Sequence, residues 1–154
     1  MFTHPDFRCE LRFIIEQNIP HCECSSAKNQ KMTKLFNRDE LLALATQEQT
    51  HKCLDCKSLT CEGWESIPGG YETKNLELIG TLRAEDAAES WEEYHPNGTD
   101  LWSKDAPIAT QFHPYNKSDI YQCKKCAATY LRYLEAGGYY VDERIRELKA
   151  DLIQ

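Results

Sequence analysis

The chain lacks any stretch approaching the roughly 18 consecutive apolar residues that a membrane-spanning helix requires, so no such span is expected. It is also short of positive charge: 18 Lys and Arg stand against 25 Asp and Glu, a formal net charge of −7. Nucleic-acid affinity comes largely from neutralised phosphates, which makes an acidic chain a poor general DNA or RNA binder. Catalytic signatures are missing as well. There is no H-E-x-x-H, no phosphate-binding loop, no G-x-S-x-G elbow and no dinucleotide fingerprint. Gly137-Gly138 lacks the further glycine and the strand-to-helix setting of a phosphate cradle and reads as a turn. The first residues, MFTHPDFRCELRFIIEQ, have no basic flank, and Asp6 and Glu10 interrupt their apolar part. No export signal is expected there, which points to the cytoplasm, where thiols stay reduced.

What the chain has in abundance is cysteine, eight in 154 residues. In a reducing compartment these do not make a disulfide framework, and metal ligation is the first alternative. Two C-x-x-C pairs stand out, Cys53-Leu54-Asp55-Cys56 and Cys123-Lys124-Lys125-Cys126. This spacing lets two thiolates meet one metal ion while nearby backbone N–H groups bond to the sulfurs, and two such pairs complete a tetrahedral site. Sixty-six residues separate Cys56 from Cys123, enough to insert a sheet domain between the pairs. Zn²⁺ is the expected ion. An iron bound by four thiolates, a redox dithiol and unliganded thiols are the alternatives, although neither pair has the βαβ setting of a thioredoxin-like motif. Two full pairs close the metal's coordination shell, so the ion is expected to serve folding and to leave no position for substrate.

The segment YQCKKCAATYLRYLE resembles the second half of a zinc ribbon, and HKCLDC resembles the first. The likeness covers the two pairs and their flanking strands, not residues 57–120. It implies a structural metal, usually zinc, and a role in binding macromolecules, often nucleic acid. The stretch from WEEYHPNGTDLW to GGYYVDERIREL is similar to small bacterial proteins, a likeness that brings no activity with it.

Four further cysteines, Cys9, Cys22, Cys24 and Cys61, with His21 beside them in PHCECSS, form a candidate second metal site. The plainer reading buries Cys9 on a helix face, places Cys61 in a turn and exposes Cys22 and Cys24. His51 or Cys61 could also replace one ligand of the first site. His95 and His113 each precede a proline and are the candidates for a small hydrolase-like activity, converging with Asp100 or Glu92. A histidine in that setting more often serves a turn, and no catalytic residue is assigned.

The hydrophobic pattern predicts a helix over 6–17 and another over 37–49, with Asn37 as N-cap and Glu40 three residues later. Strands are expected at LELIGTL, DIYQC and ATYLRYLE, and a hairpin at WEEYHPNGTDLW, where Asn97-Gly98 supplies the turn. YYVDERIRELKADL reads as a short strand followed by a C-terminal helix. The expected fold is therefore α+β in one domain, 1–154. A helical part, 1–50, precedes a zinc-stapled antiparallel sheet, 51–154, closed by the terminal helix.

Charge suggests the partner. Glu85, Asp86, Glu89, Glu92 and Glu93 form an acidic run without a cation, close to Trp91 and Tyr94. Such a surface suits a basic protein. The leading expectation is an acidic zinc-binding protein that is not an enzyme and acts by protein–protein interaction. Its concrete form is an immunity or inhibitor protein masking a basic toxin such as a nuclease. The alternative is a nucleic-acid-associated adaptor using Lys28, Lys31, Lys34, Arg38, Lys124 and Lys125.

Overall fold

The computed structural model describes residues 33–47 and 51–154. They fall within one compact unit that runs from Met32 to Gln154. The predicted helix over 6–17 and the cysteines at positions 9, 22 and 24 lie outside the described residues.

Helix α1, Arg38–Ala45, begins where the sequence signal places it. Asn37 Oδ1 accepts from the Glu40 backbone N–H at 2.9 Å, while Glu40 Oε2 accepts from the Asn37 N–H at 3.0 Å. Two otherwise unpaired donors at the helix start are thereby satisfied. The Asn37 N–H, then Lys34 at 3.0 Å, hold the Glu40 carboxyl below its usual pKa. Leu41 and Leu44, three residues apart, point together into the core.

Five strands follow: β1 (Glu65–Ser66), β2 (Leu76–Thr81), β3 (Asp119–Cys123), β4 (Thr129–Ala136) and β5 (Val141–Glu147). They form one antiparallel sheet in the order β1-β5-β4-β3-β2. β4 sits at the centre and explains why its sequence is apolar or aromatic at successive positions. Leu131 and Tyr133 face one hydrophobic cluster with Leu41, Trp64, Ile108, Tyr115 and Ile120. Tyr130, on the opposite face, enters a second cluster with Cys56, Leu59, Cys61, Cys123 and Ile145. Tyr130 and Tyr133 are thus both buried, on opposite faces, as strand alternation requires.

Three expectations are corrected. The architecture is mostly β with a single α-helix among the described residues, not an α+β fold with helices at both ends. The predicted C-terminal helix is instead β5 followed by a short 3₁₀ turn, Ala150–Leu152. Ile145 and Leu148 mimic helical spacing, but Arg144 and Arg146 pair across to Tyr133 and Leu131, and strand pairing wins. The end of the chain is then held by main-chain bonds from Ile108 N–H to the Leu152 carbonyl and from Gln154 N–H to the Ile108 carbonyl. The hairpin at WEEYHPNGTDLW is also absent. Pro96–Gly98 form a 3₁₀ turn with Asn97 at φ 58°, and the flanking arms carry no strand. Pro96 has no N–H for a ladder. Asp100 folds back to accept from the Trp102 N–H at 2.8 Å, and Tyr94 stacks on Phe112 instead of meeting a partner arm.

Candidate metal centre

Both C-x-x-C pairs sit where extended chain becomes a tight turn. In the first, the Lys57 N–H bonds to the Cys53 carbonyl at 3.1 Å and a 3₁₀ turn spans Asp55–Ser58. In the second, β3 ends at Cys123, whose N–H bonds to the Ala128 carbonyl at 2.8 Å. The Ala127 N–H returns to the Cys123 carbonyl at 3.0 Å, closing the turn. This turn needs a left-handed backbone at Ala127, φ 58°, where glycine would be at ease.

The two turns are bolted together by their intervening residues. Lys125 Nζ lies 2.6 Å from Asp55 Oδ2, which also accepts from Asn75 Nδ2 at 3.4 Å. Lys124 Nζ reaches the Lys74 carbonyl at 2.7 Å, and the Lys124 N–H reaches the Asn75 carbonyl at 3.1 Å. The lysines that could have suggested phosphate binding are thus engaged within the fold.

The result is a set of four thiols from Cys53, Cys56, Cys123 and Cys126, with all four sulfurs within 4.8 Å of one another. Cys56 and Cys123 are buried, while Cys53 and Cys126 are half-buried at the mouth. A shallow depression of about 500 Å³ opens there, lined partly by His51, Glu77, Gln122 and Lys124. The Cys53 and Cys123 sulfurs are 3.8 Å apart, far beyond the ~2.05 Å of a disulfide. Four sulfurs arranged tetrahedrally at ~2.3 Å from one ion would stand ~3.8 Å apart. The four thiols are therefore close enough to bind a single metal ion.

Their surroundings also fit thiolate ligands. The Lys125 N–H points at Cys123 Sγ at 3.4 Å. Burial works against ionisation of Cys126, but backbone N–H groups of Cys53 and Ala128, with the neighbouring thiols, bring its pKa down to about 7. Cys56 is pushed the other way, chiefly by burial and against a lowering contribution from the Tyr130 hydroxyl. The hydroxyls of Tyr71 and Tyr130 are buried and make no hydrogen bond of normal geometry. Leaving such groups unsatisfied costs about 1–3 kcal/mol each. Both lie against Cys56, and burial, with that sulfur, raises the pKa of each phenol. Sequence reasoning missed these two tyrosines, because no spacing rule links Tyr71 to a cysteine fifteen residues earlier.

The other candidates go elsewhere. Cys61 is buried in the same hydrophobic cluster but stands outside the four-thiol set, with burial and the Glu65 charge raising its pKa to about 11. Its carbonyl accepts from the Glu147 N–H at 2.9 Å. His21, with Cys9, Cys22 and Cys24, is outside the described residues. His51 is exposed. His95 Nε2 pairs with Glu93 Oε2 at 2.6 Å on an exposed loop. His113 packs between Trp91 and Tyr133, and its N–H bonds to the Glu92 carbonyl at 2.7 Å. Of the cationic run, Lys34 pairs with Glu40 and Arg38 with Asp39. Glu85, Asp86, Glu89, Glu92 and Glu93 are all exposed. Among the described residues, no helix is long and apolar enough to cross a membrane. Compared with protein-family models, curated proteins and solved structures, the chain matches none.

Proposed function

We propose that Cys53, Cys56, Cys123 and Cys126 hold one Zn²⁺ in a closed tetrahedral shell, and that the ion's work is structural. The carrying observation is the 3.8 Å separation of the Cys53 and Cys123 sulfurs within a set that spans no more than 4.8 Å. Four thiolates leave the metal no open position for substrate. The ion would tie Cys53 and Cys56 to the end of β3 across 66 intervening residues, adding to the Lys125–Asp55 and Lys52–Glu147 pairs that already hold that segment to the sheet.

On this scaffold the chain acts as a protein-binding module rather than an enzyme. The acidic run from Glu85 to Glu93 is exposed beside Trp91, 65% accessible, and Tyr94, 40% accessible. Exposed acids with aromatic anchors favour a basic protein, and the engagement of Lys124 and Lys125 within the fold weighs against a phosphate backbone. An inhibitor that masks a basic enzyme, such as a nuclease toxin, is the narrower form of this reading.

Elemental analysis of the full chain, purified without a metal-binding tag, tests the metal assignment. One zinc per chain supports it, and no bound metal contradicts it. A second zinc would bring the N-terminal cysteines into play. For the partner, recovery of a basic protein whose capture weakens as salt rises is the expected outcome; salt-independent capture would contradict the electrostatic reading.

A further inference from the structure

Around the four thiols, the hydrogen-bond donors are of two kinds. Cys126, half-buried at the mouth, takes backbone N–H groups from Cys53 and Ala128, and the buried Cys123 takes that of Lys125. At the floor lies Cys56, with no exposed surface, and the Tyr130 and Tyr71 hydroxyls bear on its sulfur. Tyr130 comes from β4, packed in the same cluster as Cys56 and Cys123. Tyr71 comes from the loop after Gly69-Gly70, pinned by its N–H to the Pro68 carbonyl at 3.1 Å, and packs on that cluster too.

Both hydroxyl oxygens are buried and lack a normally placed partner. A phenol at neutral pH is a protonated donor, and a buried one generally finds an acceptor. A thiol is a weak acceptor, whereas a metal-bound thiolate carries the charge that attracts an O–H group. Four thiolates and one divalent ion leave a net charge of about −2, half of it on sulfurs buried away from water, where donors matter most. Two orphaned donors facing the deepest sulfur suit that charge.

Resting on the metal assignment above, we infer that Tyr130 and Tyr71 are positioning residues for the metal centre, donating O–H···S hydrogen bonds to the Cys56 thiolate of the loaded protein. They hold the Cys56 side chain toward the ion and lower the electron density that its sulfur donates. Residues that orient metal ligands in this way typically change metal affinity 10- to 100-fold.

The test uses the full chain stripped of metal and refilled with Co(II), whose sulfur-to-metal charge-transfer band reports thiolate electron density. In Tyr130→Phe and in Tyr71→Phe the band should move to lower energy, further in the double variant. Zinc affinity, by competition with a chelator, should fall about tenfold for each, equivalent to 1.4 kcal/mol. Tyr121→Phe, which removes a hydroxyl from the same cluster, should leave the band in place. An unshifted band in both Tyr130→Phe and Tyr71→Phe would overturn the inference while leaving the metal site intact. A wild-type chain that gives no tetrahedral thiolate spectrum would instead overturn the site itself. Where a phenylalanine variant fails to load, cadmium-113 NMR of the wild type decides. Slowly exchanging tyrosine hydroxyl protons correlated with the metal are expected, and rapid exchange of both with solvent would overturn the proposal.

Discussion

Arg146 lies in β5 with 0% of its surface exposed, and among the described residues no carboxylate comes within ion-pair distance of it. Instead, its guanidinium donates to the Tyr115 hydroxyl and to the carbonyls of Ala106, at 2.7 Å, and Lys104, at 3.2 Å. One side chain thereby fastens the long connection between β2 and β3 onto the sheet. Burial, partly opposed by Tyr115, lowers its pKa, but an arginine stays protonated. In Arg146→Met most of the volume remains, so the cost comes from hydrogen bonding. Three acceptors lose their donor at ~1–3 kcal/mol each, while release of the buried charge returns several kcal/mol. The expected net loss is about 3 kcal/mol, the lower end for breaking a buried charged network. For a unit of this size that lowers Tm by roughly 10 °C. Arg146→Lys should recover little, since an ammonium cannot reproduce a planar fork. Thermal and guanidinium unfolding of the metal-loaded chain measure this. A Met variant within 0.5 kcal/mol of wild type would refute the reasoning, because the three bonds would then carry no net stability.

Three further outcomes follow from local geometry. Ala127→Gly should stabilise the chain by about 1 kcal/mol in denaturant unfolding, because glycine removes the cost of φ 58° in the turn of the second C-x-x-C pair; a loss of stability would show that the strain is not there. Gly63→Ala should destabilise by about 1–3 kcal/mol, since a Cβ there would stand 2.2 Å from the Trp102 carbonyl oxygen, backbone that cannot swing away. Burial lowers the His113 pKa below 6.5. A base depressed in the folded state binds more protons when unfolded, so stability should fall as pH drops below about 6.5 and level off under the folded pKa. NMR titration of His113, with unfolding at pH 7 and pH 5, checks this. A folded-state pKa above 6.5 would reverse the sign.

What could be read from the sequence was local or chemically stereotyped. Asn37 and Glu40 announce their helix because the capping box lies within four residues. DIYQC and ATYLRYLE announce β3 and β4 through β-forming residues beside a turn. The clustering of Cys53, Cys56, Cys123 and Cys126 was legible across 66 residues because each C-x-x-C carries its own turn geometry and two such pairs suit a common centre. The losses came where tertiary partners overrule local preference. Asn97-Gly98 has the residues of a hairpin turn, but its arms find Phe112 and a side-chain cap instead of each other. The segment after Val141 has helical spacing, but β4 offers an open edge with seven paired positions, and the buried Arg146 reads as a surface residue to any rule based on composition. Tyr71 and Tyr130 escaped for the same reason, since their relation to Cys56 exists only once the sheet has formed.

The central claim is that one metal ion joins the two cysteine pairs. X-ray absorption at the zinc edge, on full chain carrying one zinc, tests it most directly. The account predicts a first shell of four sulfurs at ~2.3 Å. A shell containing nitrogen or oxygen, or one unchanged when Cys123 is replaced by serine, would contradict it.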